Sequence, residues 1–222
     1  MLVDIHCHTI YSGDSSLEPE ELIHAARQRG LDAVCVTEHD SFSASKPVEE
    51  IARREAFLVF RGVEINTDKG HILAFGVTDD GWKSPKGYYS PIESVRPKVE
   101  ACGGILIPAH PFRSLGGASA FNNIFNMDYI TAIEVLNGEN TERENAMGIE
   151  AWKKLGIPGV GGSDCHSLTQ VGRCATWFER DITSVAQLIE EVRSGRVAPA
   201  YPGDNGIYKK MPPPSHIEGK LQ

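Results

Sequence analysis

Two histidines, separated by a single residue, lie at the end of the first apolar stretch of the chain. His6 and His8 follow the run from Leu2 to Ile5 and precede a segment rich in Ser, Gly and Asp. Alternate side chains of a β-strand share one face, so both imidazoles are expected to point the same way at a strand end. Two imidazoles on one face supply half of a typical metal site. The alternative for a lone His-X-His pair is one core and one surface histidine.

Further residues of the metal-ligand type lie at or beside the ends of other predicted strands, which favours the metal site. Six of the eight histidines have such positions, and so do two acidic residues that end apolar runs. The candidate ligands are His6, His8, Asp14, His39, Glu64, His71, His110, Asp164 and His166. Imidazole and carboxylate groups bind Zn, Mn or Fe, and a set this large suits two or three divalent ions. A carboxylate such as Glu64 could bridge two of them.

The elements that must hold these residues alternate between strands and helices. Predicted strands cover 2–6, 31–37, 56–65, 71–77, 103–108, 130–136, 157–161, 171–177 and 196–200. Predicted helices cover about 16–30, 48–54, 91–101, 142–155 and 184–195. This alternation is typical of an α/β fold with a parallel sheet and crossover helices. Seven or so units in a chain of this length favour a small TIM-like barrel, with its site at the C-terminal ends of the strands. The link 67–70 is short enough for a hairpin, which would place His71 beside Glu64.

Length and composition indicate a single globular domain. We expect one barrel domain over 1–200 and a loosely ordered C-terminal extension, rich in Pro, Gly and Lys, over 201–222. No apolar run approaches the ~20 residues that span a bilayer, so no membrane partner is expected. The N-terminus lacks the basic and apolar regions of a secretory signal. The five cysteines are scattered without a CxxC pair, which is typical of reduced thiols in a cytoplasmic protein.

The charge of the chain limits its partners. The formal net charge is −8 with neutral histidines, which argues against tight sequence-independent binding of duplex DNA. Bound divalent cations would offset this charge locally, so an acidic protein can still bind a phosphate group through its metals.

Five short motifs, in this order, resemble those of the PHP (polymerase and histidinol phosphatase) superfamily. They are HCHTIYSGDS, TEHD, GVEI, AHP and GSDCH, and the resemblance runs from residue 2 to about residue 178. It implies a distorted (β/α)7 barrel that holds up to three metal ions. The implied ligand groups are His6, His8, Glu64 and Asp164 for a first ion, Glu64, His71 and His110 for a second, and Asp14, His39 and His166 for a third.

One feature departs from many members that act on nucleotides or RNA ends. Those members carry a domain inserted between the fourth-strand histidine and the AHP motif. Here 38 residues (72 to 109) separate His71 from His110, which is enough for a loop and one helix. This puts a simple transfer of nucleotide specificity in doubt. The chain is also shorter than typical histidinol-phosphate phosphatases.

The ligand set and the resemblance together predict hydrolysis of a phosphomonoester by attack of a metal-bridging hydroxide on phosphorus. Two ions that share a water lower its pKa, so hydroxide exists near neutral pH. A third ion and a cationic side chain would orient the phosphate and neutralise its charge. Arg113 and Arg173 are the candidate cations, each with a solvated surface position as the alternative. Asp40, next to His39, is expected to orient a ligand histidine or to protonate the leaving group.

The loop 78–90 and two cysteines have less specific roles. Trp82, Tyr88 and Tyr89 are expected to form a packing cluster, with stacking on a base as the alternative, and the loop could act as a lid. Cys7 and Cys165 alternate with candidate ligands, so on extended backbone they face away from the metals and are expected to pack.

Other functions remain open at the level of sequence. The expected partner is a small phosphorylated substrate, a class that includes nucleotides, sugar phosphates and amino-alcohol phosphates. One rival is an exonuclease or phosphodiesterase that acts on single-stranded nucleic-acid ends, which the net charge and the missing insert disfavour. A second rival is a non-catalytic metal-binding module, which the complete ligand set disfavours. A third is a metal-dependent amidohydrolase; those barrels commonly use a bridging lysine, and no central predicted strand here supplies one near the ligands.

Overall fold

The structure is a computed structural model that describes residues 1–83, 89–114 and 119–214. The strands are β1 (Leu2–Cys7), β2 (Ala33–Val36), β3 (Leu58–Thr67), β4 (Gly70–Phe75), β5 (Ile105–Pro108), β6 (Ile133–Asn137), β7 (Gly159–Gly162), β8 (Ala175–Phe178), β9 (Val197–Pro202) and β10 (Tyr208–Lys210). The helices are α1 (Pro19–Gln28), α2 (Lys46–Arg54), α3 (Ile92–Ala101), α4 (Glu142–Leu155) and α5 (Val185–Arg193). Short 3₁₀ turns cover Ile10–Ser12, Ser43–Ser45 and Phe121–Asn126. Each predicted strand and helix has a counterpart in this set.

Local sequence signals explain where the helices begin and end. At α4, the Thr141 hydroxyl accepts a hydrogen bond from the Glu144 backbone N–H, and the Glu144 carboxylate accepts one from the Thr141 N–H at 2.8 Å. This reciprocal capping satisfies two backbone donors of the first turn. The helix ends before Gly156, whose φ of 62° suits a residue without a side chain. The predicted span 142–155 is confirmed.

The sheet is less parallel than expected. Eight strands form one curled sheet in the order β10-β9-β8-β1-β2-β3-β4-β5, and β6 pairs with β7. β1, β2 and β3 run parallel, as do β6 and β7. β4 is antiparallel to β3 and β5, and β1, β8, β9 and β10 follow one another in antiparallel pairs. The expectation of a parallel sheet is therefore wrong at these pairs. The predicted hairpin at 67–70 is confirmed, because a link this short forces the chain to reverse.

Hydrogen bonds join the small sheet to the large one at two places. The backbone N–H of Asp164 donates to His6 O at 2.7 Å, and that of His8 donates to Cys165 O at 3.1 Å, so the chain after β7 lies beside β1. The N–H of Thr131, just before β6, donates to Leu106 O of β5 at 2.9 Å. The fold is therefore a mixed α/β arrangement whose curled sheet is consistent with a distorted TIM-like barrel. The count of seven (β/α) units stays a prediction.

The apolar core follows this curvature. A central cluster draws buried side chains from β1 to β5, β7 and β8, and includes Val3 and Ile5 of β1. Cys7 and Cys165 instead pack in a second cluster with residues of α1 and α2. The pairing of β1 with β2 shifts register between Asp4 and Cys7, which interrupts the alternation of inner and outer side chains. The interpretation of the two cysteines as packing residues is confirmed.

The C-terminal segment carries more structure than predicted. β10 pairs with β9, with Lys209 opposite Tyr201, and the Tyr208 hydroxyl donates to Gly172 O. The expectation of a loosely ordered extension is therefore wrong for 201–210, because contacts distant in sequence order it. Residues 215–222 lie outside the described part. No helix in the described part of the chain has both the length and the apolar character needed to cross a membrane.

Candidate metal centre

Candidate ligands come from six strands: from the ends of β1, β2, β5 and β7, from β3, and from the beginning of β4. His6 and His8 lie at the end of β1, Glu64 lies in β3, and the segments after β2, β5 and β7 carry further ligand candidates. β4 runs opposite to its neighbours, so its beginning lies at the edge where β3 and β5 end. His71, one residue into β4, therefore joins residues that follow other strands. The structure brings all nine candidates together: His6, His8, Asp14, His39, Glu64, His71, His110, Asp164 and His166.

Four of these side chains form a buried group, which we define as His6, His8, Glu64 and Asp164. His8 Nε2 lies 3.1 Å from His6 Nε2, 3.1 Å from Glu64 Oε2 and 3.3 Å from Asp164 Oδ1. All four residues are at most 1% exposed. Two imidazole nitrogens and two carboxylate oxygens thus point at one small volume, which is a suitable set for one divalent ion.

The other oxygen of Glu64 faces a second pair of imidazoles. Glu64 Oε1 lies 2.8 Å from His71 Nδ1 and 2.9 Å from His110 Nε2. One carboxylate therefore contacts both sets of histidines. A carboxylate placed in this way could bridge two ions.

The remaining three candidates form an exposed group, which we define as Asp14, His39 and His166. Asp14 Oδ2 lies 3.1 Å from His39 Nε2 and 3.4 Å from His166 Nε2. The side chains of Asp14, His39 and His166 are 54%, 25% and 26% exposed. The His8 ring stacks on both imidazoles, at centroid distances of 4.3 and 4.4 Å. The exposed group thus lies directly over the buried one.

The donor set fits divalent ions, and the surroundings of one buried carboxylate oxygen support this fit. Glu64 Oε2 is buried and has no hydrogen-bond partner in the described chain. It lies 3.1 Å from His39 Nδ1 as well as from His8 Nε2. A buried carboxylate oxygen without a hydrogen bond is costly unless a cation compensates it. A divalent ion among these nitrogens and oxygens would do so.

Strained backbone accompanies the candidate ligands. Five residues other than glycine have positive φ angles in the described chain. Three of them belong to this region: Asp40 (φ 50°), His110 (φ 29°) and Asp164 (φ 54°). Such conformations cost about 1–3 kcal/mol each and persist where the surroundings impose them, often at functional sites.

Two buried carboxylates support histidines on the side away from the other ligands, Glu134 by direct contact with His6 and Glu38 through Ser12, and sequence reasoning missed both. Glu134 Oε1 accepts from His6 Nδ1 at 3.0 Å. Ser12 Oγ lies 2.9 Å from His8 Nδ1 and donates to Glu38. A partner on the second ring nitrogen fixes the tautomer of a metal-binding histidine. The sequence signal for Glu134 was a single acid in the apolar run 130–136, the same signal that identified Glu64.

Electrostatics keep the central carboxylates ionised. Burial raises the pKa of Glu64, but the nearby His6, His71 and other histidines outweigh it and hold that pKa well below its usual range. The pKa of Asp164 is lowered in the same way, since His6 and His8 outweigh its burial. Both groups therefore offer charged oxygens to a cation at neutral pH.

The three residues predicted to act beside the metals occupy different places. Arg113 Nη2 contacts Asp164 Oδ2 at 2.7 Å, so this guanidinium lies in the site. Arg173 Nη1 instead pairs with Glu139 Oε1 at 2.6 Å and is 47% exposed. Asp40 Oδ1 accepts from the backbone N–H of Asn66 at 2.9 Å. Asp40 thus ties the segment that carries His39 to β3.

The aromatic residues of the loop 78–90 also separate. Trp82 is buried in a hydrophobic cluster with Val77 and residues of α3, so its packing role is confirmed. Tyr89 is about half exposed. Tyr88 and the central part of the proposed lid lie outside the described residues.

Comparisons with known proteins show the family and agree with the fold. The description "PHP domain" matches residues 4–134, and "PHP-associated" matches residues 142–197. An uncharacterised protein of Methanocaldococcus jannaschii is 30% identical over 147 residues, which cover 62% of this chain and 82% of that protein. A probable phosphatase of Caldicellulosiruptor bescii is 26% identical over 205 residues, which cover 78% of this chain and 82% of that protein.

A solved structure shares the fold. PsfC from Pseudomonas syringae aligns with a TM-score of 0.69 and 20% identity, and the alignment covers 92% of each chain. The PHP domain match spans more than half of this chain and includes seven of the nine candidate ligands. The protein belongs to the PHP family.

Proposed function

We propose that this protein is a metal-dependent phosphoesterase that hydrolyses a phosphomonoester. The observation that carries the proposal is the convergence of nine ligand-type side chains around Glu64, with the guanidinium of Arg113 bonded to one of them. A relative described as a probable phosphatase supports this assignment.

The buried group would hold one ion, and Glu64 would share a second ion with His71 and His110. The exposed group would hold a third. Mn, Fe and Zn all suit these ligands. When bound, such ions lower the pKa of a coordinated water and polarise a phosphoryl oxygen. We assign these positions to the C-terminal end of a (β/α)7 barrel, where such folds carry their sites.

Arg113 would orient the phosphate group. Its Nη2 also donates to Asn137 Oδ1 at 2.6 Å, and its Nε donates to Asn140 Oδ1 at 3.2 Å. These contacts fix the guanidinium plane while leaving the side chain 22% exposed. Nη1 takes part in none of these contacts, so it would donate the charge-assisted hydrogen bond to a phosphate oxygen.

Asp40 has a positioning role in this proposal. Its backbone N–H donates to Glu64 O at 2.8 Å, and its carboxylate binds the Asn66 N–H. It therefore braces the backbone from Glu64 to Asn66, and with it the position of the neighbouring His39. Protonation of the leaving group by Asp40 would require a substrate that reaches this carboxylate.

Two rival reactions differ in what they require. A bridging lysine of the amidohydrolase type has no counterpart, because β1 to β7, all of them described, contain no lysine. A phosphodiesterase acting on nucleic-acid ends would use the same ions, so only the products separate it from a phosphomonoesterase.

The test is a substrate panel on protein loaded with Mn, Fe or Zn. The panel contains nucleoside monophosphates, sugar phosphates, histidinol phosphate and a 5′-phosphorylated oligonucleotide, and the readout is released phosphate. We expect phosphate from one class of monoester, and none from His8→Ala. Release of nucleotides without phosphate would indicate a diesterase. No product with any substrate, despite bound metal, would favour a non-catalytic module.

A further inference from the structure

A buried carboxylate on β6 contacts several parts of the metal centre at once. Glu134 is 1% exposed, yet no arginine or lysine pairs with it in the described chain. Its Oε1 accepts from His6 Nδ1 at 3.0 Å. Its Oε2 accepts from the backbone N–H of His110 at 2.6 Å and from Asn137 Nδ2 at 3.0 Å. All three partners are donors, so this carboxylate acts only as an acceptor.

These partners belong to different ligand groups. His6 belongs to the buried group, whereas His110 contacts Glu64 on its other side. The amide of Asn137 also lies 3.4 Å from Asp164 Oδ2. Glu134 therefore holds ligands of both buried ion positions through hydrogen bonds to a ring, a backbone N–H and an amide.

The two histidines depend on Glu134 in different ways. For His6, an acceptor at Nδ1 favours a ring proton on that nitrogen, which would leave Nε2, 3.2 Å from Glu64 Oε2 and 3.4 Å from Asp164 Oδ1, to bind an ion. For His110, the buried Nδ1 has no hydrogen-bond partner in the described chain. Its ring is therefore positioned by the contact of Nε2 with Glu64 Oε1 at 2.9 Å and by its backbone, which has a φ of 29°. The bond from Glu134 to the His110 N–H holds that strained backbone in place.

β7 passes next to the contact between His6 and Glu134, and it can do so only because residue 162 is a glycine. A Cβ on Gly162 would lie 2.4 Å from His6 Cβ and 2.8 Å from Glu134 Oε1. These separations are shorter than non-bonded contacts allow, so β7 can lie this close only if residue 162 has no side chain. The sequence of β7 thus accommodates the pairing of His6 with Glu134.

We propose that Glu134 is a positioning residue that sets the tautomer of His6 and couples the two buried ion positions, so that both form or fail together. This inference rests on the metal-binding part of the proposed function, and not on the identity of the substrate.

The decisive variant is Glu134→Gln. Glutamine keeps the size of the side chain but offers one acceptor oxygen in place of two. Whichever way it turns, its NH₂ group faces a donor, either His6 Nδ1–H or the pair formed by the His110 N–H and the Asn137 amide. Loss of such a partner typically weakens metal affinity 10–100-fold. We expect this weakening at both buried positions.

The matched control is Glu191→Gln. Glu191 is also a buried glutamate, but it pairs with Arg196 near α5 and contacts none of the nine ligand candidates. Binding is measured with Co²⁺ by calorimetry and by its visible absorption, which reports coordination without any substrate. Glu191→Gln should bind like the wild type, while Glu134→Gln should show weaker binding of two ions and an altered absorption spectrum.

The outcomes separate this inference from the proposed function. If the wild type binds no Co²⁺, both fail. If the wild type binds and Glu134→Gln matches it in affinity and spectrum, only the inference on Glu134 is overturned. If Glu134→Gln does not fold, the proposal is tested on the Zn-loaded wild type instead. The ¹⁵N shifts of His6 should then show a proton on Nδ1 and a metal on Nε2, and the opposite pattern would overturn the proposal.

Discussion

The buried group and the exposed group use the same kinds of side chain in very different surroundings. The buried group lies within or directly after strands; Glu134 contacts its His6, and Glu38 supports its His8 through Ser12. The exposed group lies on loops, and the side chain of Asp14 is about half exposed. The two groups meet at the His8 ring, which stacks on His39 and His166.

The difference indicates that one site can combine ligands of fixed geometry with ligands that can change position. Ligands held by strands and buried hydrogen bonds keep their geometry without a metal, so binding there costs little reorganisation. Ligands on exposed loops can shift when a substrate or a solvent molecule replaces one of them. We therefore expect the buried positions to bind ions tightly and the exposed position to exchange its ion and to face the substrate.

Glu64→Gln should have the largest effect, because Glu64 is shared by both buried positions. The substitution removes the charge but keeps the shape, so His71 and His110 lose the anion between them. We expect loss of both buried ions and a fall in kcat/KM of at least about 10³-fold, comparable with the removal of a preorganised electrostatic group.

The measurement combines metal content of the purified protein with kinetics on the substrate found in the panel. Glu191→Gln again serves as the control, since it removes a buried carboxylate away from the centre. Full metal content in Glu64→Gln would show that the two positions do not share this residue.

His166→Ala should test the exposed group and have a smaller effect. The buried group stays intact in this variant, so only the outer ion loses a ligand. We expect kcat/KM to fall one or two orders of magnitude less than in Glu64→Gln, about 1.4 kcal/mol for each factor of ten. Excess Mn²⁺ should restore much of the activity by mass action. His8→Ala is the comparison, and excess metal should not restore it.

The two groups should also differ in proton release when they bind metal. Burial lowers the pKa of His8, but the adjacent carboxylates of Asp164 and Glu64 outweigh this and raise it to about 10 without a metal. His8 must therefore lose a proton to bind an ion near pH 7. Burial and the adjacent His8 lower the pKa of His166, which is already neutral at that pH.

Binding in the buried group should accordingly release about one to two protons per ion, and binding in the exposed group fewer. The affinity of the buried positions then falls as pH decreases, because protons compete with the metal for the histidines. Calorimetry in buffers of different ionisation enthalpy counts these protons. Equal counts for both groups would contradict the comparison.

The fold was predictable where local periodicity decides it. Apolar runs and capping signals located the strands and helices, since side-chain burial imposes those patterns. The direction of β4 depended on the short link before it, and the antiparallel pairs of β8 to β10 left no local signal. Residues 201–210 read as a loose tail by composition, yet pairing with β9 and a bond to Gly172 order them. Such contacts are invisible in a local window.

The convergence of the nine candidate ligands was predictable, because few residue types bind divalent metals and the positions of these residues beside strand ends bring them together. What sequence reasoning missed are partners that depend on packing across the sheet. Glu134 lies 128 positions from His6, and Asn137 matters only because it contacts Glu134 and Asp164. From the sequence, Arg113 and Arg173 were equally good candidates for the phosphate-binding cation, since each follows a motif that carries candidate ligands.

Arg173→Ala should therefore have the smallest effect on kcat/KM, and Arg113→Ala is the variant to compare with it. Arg173 forms a surface pair with Glu139, and such pairs contribute roughly 0.2–1 kcal/mol to stability. We expect a change in kcat/KM of about fivefold at most, because each factor of ten needs about 1.4 kcal/mol. Arg113 contacts Asp164 of the buried group, so its removal should raise KM far more. Steady-state kinetics on both variants measures this. An equal loss in Arg173→Ala would mean that substrate reaches beyond the exposed group to Glu139, and that the phosphate-binding cation lies on the loop after β7 and not beside β5.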